Sequence, residues 1–184
     1  MKIVSCGALK KELKEIFRKH AIKDSTQFLP VQLHNNPQKL GLALDHWKNK
    51  AHSKQESLVF LYGYACHPQI TEKNKQTWNC QNCLELLLGH DFYHSELKAG
   101  AYFLLESLVE HWEFTHRKMF GDRMDVLREI FQDSHKYLLA LQTPCSAPDK
   151  FKAEKISQLT GLELRWKKVE LSLLEKNILE MLKP

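Results

Sequence analysis

The stretch Ser57-Leu58-Val59-Phe60-Leu61-Tyr62-Gly63-Tyr64 decides how this chain folds. Between its ends only Gly63 is neither aliphatic nor aromatic, and no polar residue alternates with the apolar ones. A strand with one wet face would alternate, so a continuous apolar run predicts a strand covered by helices on both faces, the habit of parallel sheets. The run leads into Ala65-Cys66-His67-Pro68.

Working upstream, Lys2 to Ser5 reads as a short buried strand, and Gly7 follows where the chain turns into a helix. Leu9, Leu13, Ile16 and Phe17 recur at helical spacing with lysines and glutamates between them. Thr26 to Leu33 is β-rich, although Pro30 removes a ladder donor. Asn36 and Pro37 form a helix start, as N-cap and first helical residue. Leu40, Leu42, Ala43, Leu44 and Trp47 carry the apolar side of that helix.

Downstream, Cys83 leads into a short helix over Leu84 to Leu88, closed by Gly89. Gly100 to Leu105 and Tyr137 to Leu141 read as strands. Val109 to Phe131 is helical in pattern, divided at Gly121, with Trp112, Phe120, Val126, Leu127 and Ile130 as core positions. Thr143 to Asp149 is a loop, and Lys150 to Leu159 a helix ended by Gly161. Leu162 to Trp166 is a last strand, and Glu170 to Leu182 a terminal helix. Strands alternating with helices predict the α/β class: a single three-layer domain over residues 1–184 with a mainly parallel, Rossmann-like sheet. A chain of 184 residues buries a core without staples.

Hydrophobic residues make up 43% and charged residues 27%, which excludes disorder. The net charge of +5 is scattered over helical segments and not gathered into a basic stripe with interleaved aromatics, so no nucleic-acid partner is expected. No apolar run approaches the roughly 20 residues of a membrane span, and the N-terminal apolar segment is too short for a signal peptide. A cytosolic protein with reduced thiols is therefore expected. Neither a G-x-G-x-x-G nor a G-x-x-x-x-G-K motif occurs, so no nicotinamide or nucleotide cofactor is expected. A G-x-S-x-G elbow is missing too.

Chemistry is carried by the cysteines. Cys6, Cys66 and Cys83 each follow an apolar stretch: Ile3 to Ser5, Leu58 to Ala65, and the region around Trp78. If those stretches are parallel strands, the thiols converge on one edge of a sheet, where open α/β folds bind ligands. With His34 they offer the N/S donors that zinc or another transition metal prefers. The bland alternative is that Cys6 and Cys66 are buried small hydrophobes. Cys80 and Cys83 form a lone C-x-x-C, a spacing that serves a metal or a redox dithiol, but Gln81 and Asn82 between them do not suit a thioredoxin motif. His90 and His94 stand four apart, yet Gly89 ends the preceding helix and the pair reads as surface. His111 and His116, five apart, read as solvated or satisfied helix residues.

Several motifs carry a resemblance. Cys6-Gly7-Ala8-Leu9 with Glu12-Leu13, Leu33-His34-Asn35 with Pro37 and Leu40, Tyr62-Gly63-Tyr64 with Cys66, Asn82-Cys83 with Leu86 to Gly89 and Tyr93, and Gly100-Ala101-Tyr102-Phe103 occur in order. This set, over about residues 2 to 105, resembles the family catalogued as a domain of unknown function, number 1638. Ala99 and Ser107-Leu108 depart from it, standing where the family usually has a proline and a Gly-Trp pair. The resemblance implies no established activity. Some members look to be encoded beside corrinoid-dependent methyltransferase proteins, which points to one-carbon metabolism. Cys6, His34, Cys66 and Cys83 fall inside the family-like motifs and Cys80 and Cys145 outside them, which favours a clustered site.

Two readings follow. In the first, the chain is a metal-binding protein or metal-dependent enzyme with Cys6, Cys66, Cys83 and His34 as ligands, acting on a small molecule. In the second, it is a noncatalytic interaction module with structural cysteines. Oligomeric state and reaction are open in both.

Overall fold

The computed structural model describes residues 1–67 and 80–182. The third apolar stretch, around Trp78, lies outside the described residues, as does Pro68. Contacts divide the chain into two compact units: Met1–His90 with Leu171–Pro184, and Asp91–Glu170.

In the first unit, β1 (Lys2–Cys6) runs into a 3-10 turn (Gly7–Leu9) and α1 (Lys10–Lys19). Leu13, Ile16 and Phe17 are buried on one face of that helix. Then come β2 (Ser25–Leu29), a 3-10 turn (Val31–Asn35), α2 (Pro37–Ser53) and β3 (Leu58–Leu61). The Asn36 side chain accepts the Lys39 N–H, and Pro37 occupies the first turn, as the Asn-Pro pair predicts. The sheet has the order β2-β1-β3, with both pairings parallel. Ile3, Val4, Leu13, Ile16, Leu40, Leu44 and Leu61 are its deepest core residues. The short helix α3 (Cys83–Leu88) packs against α8 (Ser172–Met181), also of this unit.

The second unit contains most of α4 (His90–Lys98), then β4 (Ala101–Leu104), α5 (Glu106–Phe120), α6 (Met124–Ser134), β5 (Tyr137–Gln142), α7 (Lys150–Thr160) and β6 (Glu163–Lys168). Its parallel sheet has the order β4-β5-β6. Leu104, Trp112, Leu127, Phe131, Leu138, Ala140, Ala153 and Ile156 belong to one core cluster. Asp149 caps α7 through the Lys152 N–H, and Gly161 ends it in the left-handed region at φ 71°.

The α/β class and the parallel pairing are observed. The strands are distributed over two three-stranded sheets where the sequence predicts one. The strand expected over Thr26 to Leu33 stops at Leu29, because Pro30 cannot donate to the ladder and the chain turns there into 3-10 geometry. The run Ser57 to Tyr64 contributes only Leu58–Leu61 as a strand, and that strand flanks β1. Ile130, expected in the core, is 45% exposed, and its neighbour Phe131 is buried instead. Among the described residues no helix is long and apolar enough to cross a membrane.

Candidate functional site

Because β1, β2 and β3 are parallel, their carboxyl ends share one edge. The chain leaves β1 for β2 on one side and returns to β3 on the other, so the crevice between β1 and β3 is a topological switch point, the usual ligand position in open α/β sheets. Cys6 is the last residue of β1, and its sulfur accepts the Ala8 N–H at 3.4 Å. His34 lies on the 3-10 turn that follows β2. Cys66 lies in the turn beyond β3, where its N–H donates to Gly63 O at 3.0 Å. Cys83 opens α3, whose cap is Asn82, with Oδ1 accepting from the Leu84 and Glu85 N–H groups.

Cys6 Sγ and His34 Nδ1 are 3.6 Å apart. An S–metal bond of 2.3 Å and an N–metal bond of 2.0–2.1 Å at a tetrahedral angle place the two donor atoms about 3.6 Å from each other. The Nδ1 position also meets Val31 O at 3.1 Å, so in the free protein Nδ1–H donates to that carbonyl. Ligation through Nδ1 moves the proton to Nε2 and gives up this contact. Burial lowers the His34 pKa, with the Val31 contact opposing it, so the ring is neutral near pH 7. A neutral imidazole is the form that binds metals.

The thiols influence one another. Burial pushes Cys6 up to about 12, against the Ala8 N–H, and the charge of Cys66 adds to the rise. Cys80 is also pushed up to about 12, first by burial and then by the charges of Glu85 and Cys66. Cys83 is held well above the ordinary thiol value by burial and then by the charges of Cys6, Cys66 and Cys80. Cys66 is raised by burial, opposed by the Gly63 backbone. Cys66 and Cys83 are thus within electrostatic reach of each other and of both Cys6 and Cys80, and burial disfavours the thiolate of all four. A bound cation inverts that balance, because it favours every thiolate it touches. Tyr62, 2% exposed, sits beside them, its ring 6.1 Å from that of His34. Burial is the largest cause of its raised pKa, with the charges of Cys6, Cys66 and Cys83 following.

Two chain segments carry the later thiols, and they are hydrogen-bonded to each other. Tyr64 N–H donates to Cys80 O and Ala65 N–H to Gln81 O, each at 3.0 Å. A Cβ on Gly63 would stand 2.2 Å from Gln81 O, so only glycine permits this approach. Gly7 plays a similar part beside Cys6, since its Cβ would stand 2.8 Å from Leu29 O.

Among the described residues, the group of three or more ligand atoms lying within 4.8 Å of one another is not drawn from Cys6, His34, Cys66 and Cys83 but is Glu85, His90 and His94. It belongs to one local stretch made by α3, Gly89 and the start of α4. Gly89, at φ 82°, ends α3 and lets a second helix begin at His90. The helix ends at Gly89 as expected and His90 is 72% exposed, but a second helix begins at once, so His90 and the half-buried His94 share a helical face. His90 Nδ1 lies 2.7 Å from Glu85 Oε1. In sequence this group shows only an acidic residue at the third helical position and a histidine past the glycine stop, and the burial that singles out Glu85 is a tertiary feature.

Cys145 lies in the loop after β5, in the second unit. His116 donates from Nδ1 to Trp112 O at 2.7 Å and stacks on the Trp112 ring at 4.0 Å, a helix residue with its polar atom satisfied, whereas His111 is exposed.

These features define a parallel α/β protein whose first sheet brings Cys6 and His34 together at its carboxyl edge. The chain belongs to the family described as Protein of unknown function (DUF1638), which matches residues 28–178. His34, Cys66, Cys80, Cys83, Glu85, His90 and His94 lie inside that match, and Cys6 precedes it. Neither the curated proteins nor the solved structures contain a match.

Proposed function

We propose that the protein binds a transition metal, zinc or one of similar preference, through Cys6, Cys66 and Cys83 with His34 as fourth donor, and presents it to a small molecule. The observation that carries this reading is the 3.6 Å separation of Cys6 Sγ and His34 Nδ1 at the switch point of the first sheet. Thiolate and neutral imidazole are the donors zinc and other borderline-soft ions select. Displacement of one protein donor by a substrate leaves the metal as a Lewis acid toward that substrate. The neighbourhood of family members suggests one-carbon or corrinoid-linked metabolism as the setting.

The test is elemental analysis of freshly purified protein, followed by cobalt loading of the metal-free form. About one equivalent of metal is expected, with thiolate-to-cobalt charge-transfer absorption that Cys66→Ser and Cys6→Ser weaken. Stoichiometric metal without thiolate bands, lost in His90→Ala, would move the ion to the Glu85, His90 and His94 group. If neither appears and no small molecule raises the melting temperature, the noncatalytic module with structural cysteines is the better account.

A further inference from the structure

Glu85 is a buried carboxylate, 7% exposed, that the metal reading does not use. Its Oε2 accepts the Gln81 N–H, and its Oε1 faces His90 Nδ1 at 2.7 Å. In an ordinary capping box the glutamate at the third helical position returns to the N–H of the capping residue itself. Here Asn82 is the cap and already serves the N–H groups of Leu84 and Glu85. Glu85 reaches one residue further, outside the helix, to the peptide between the two cysteines of the C-x-x-C pair.

That peptide is where the thiol-bearing segments meet. Gln81 O accepts the Ala65 N–H at 3.0 Å and faces Cys66 Sγ at 4.0 Å. Cys80 Sγ donates to Asn82 O at 3.4 Å, and Cys80 O accepts the Tyr64 N–H. Engaging the Gln81 N–H strengthens what the Cys80 carbonyl of the same peptide unit accepts, the Tyr64 N–H, since hydrogen bonds in a chain reinforce one another. We infer that Glu85 is a positioning residue for the thiol cluster: by holding the Gln81 peptide it fixes Cys80 and Cys83 against the segment that carries Cys66. This deepens the proposed metal site and rests on it for its functional meaning, while the positioning itself is a property of the metal-free protein. Loss of a group that orients ligand residues typically changes metal affinity by about 10–100-fold.

The experiment uses the full chain as wild type, Glu85→Ala and Glu85→Gln. In metal-free protein, alkylation by N-ethylmaleimide is followed thiol by thiol with mass spectrometry. Cys80 and Cys83 should react at least about tenfold faster in Glu85→Ala, with Cys6 unchanged and Glu85→Gln close to wild type, because the amide keeps an oxygen acceptor for the Gln81 N–H. A cap that merely stabilises α3 would also be rescued by glutamine but would expose Cys83 without Cys80, which lies outside the helix. Cobalt titration of the same proteins should show affinity about 10–100-fold weaker for the alanine variant and restored by glutamine. If Glu85→Ala fails to fold by circular dichroism, Glu85→Leu, which keeps volume and helix propensity and removes only the acceptor, replaces it. Wild-type labelling rates in the acceptor-free variant overturn the inference, whatever the metal content. Selective labelling in a protein that binds no cobalt leaves the positioning role standing and removes the metal reading alone.

Discussion

Cys6 Sγ and His34 Nδ1 stand 3.6 Å apart although 28 residues separate them, one ending β1 and the other on the 3-10 turn after β2. Parallel pairing in the register Cys6 with Leu29 puts the two chain ends side by side, and Pro30 then turns the chain so that His34 faces the thiol. If this pair shares a metal, His34→Ala removes a direct donor. Its cobalt affinity should fall by more than the ~10–100-fold that loss of an outer partner costs. Titration followed by charge-transfer absorption checks it, and an unchanged affinity would remove His34 from the ligand set.

Cys145→Ser is the complementary control. Its sulfur lies in the second unit, beyond β5, and is not among the proposed ligands. Metal content and cobalt spectrum should match wild type, and loss of metal in this variant would contradict the assignment of ligands.

Gly63→Ala should disturb the site from the backbone. The added carbon would stand 2.2 Å from Gln81 O and 2.4 Å from Asn82 N, both backbone atoms that cannot swing aside. Overpacking of this kind costs typically about 1–3 kcal/mol. Chemical denaturation should show the loss, together with faster alkylation of Cys66 and Cys83, and a variant as stable as wild type would count against the close approach.

Stability should decline in mild acid. Burial lowers the pKa of His116, with its bond to Trp112 O opposing, and burial lowers that of His135. The unfolded chain, with ordinary values near 6.5, binds protons first. Stability is therefore full above that value, falls as pH drops through it, and levels off below the folded values. The melting temperature at pH 5.5 should lie below that at pH 7.5, and His116→Gln should narrow the gap. A gap of wild-type size in that variant would exclude His116 as a contributor.

Leu127→Ala tests the second core. Leu127 is fully buried within the cluster that includes Trp112, Phe131 and Leu138. Truncating such a leucine costs about 2–5 kcal/mol, whereas Ile130→Ala, at an exposed position, should cost far less. Equal losses at the two positions would mean that α6 presents a different face.

Element identity was written in the local sequence. Apolar runs, helical spacing, the Asn36-Pro37 start, the stop at Gly161 and the division at Gly121 act within a few residues, so the strands, helices and α/β class follow from them. The sequence also drew attention to Cys6, His34, Cys66 and Cys83 as candidate ligands. Other features came only from tertiary structure. Among the described residues, the division of the strands into two sheets depends on pairings between residues far apart, which leave no local trace. Ile130 and Phe131 differ in burial by one step of helical rotation, and only the packing of α6 selects between them. Glu85 looks like any acidic residue at a helix start until the fold brings the Gln81 peptide, Ala65 and Cys66 together around it. Local propensity is set by neighbours along the chain, whereas a site is set by neighbours in space, and here that difference separates the cysteines that could be named in advance from the carboxylate that could not.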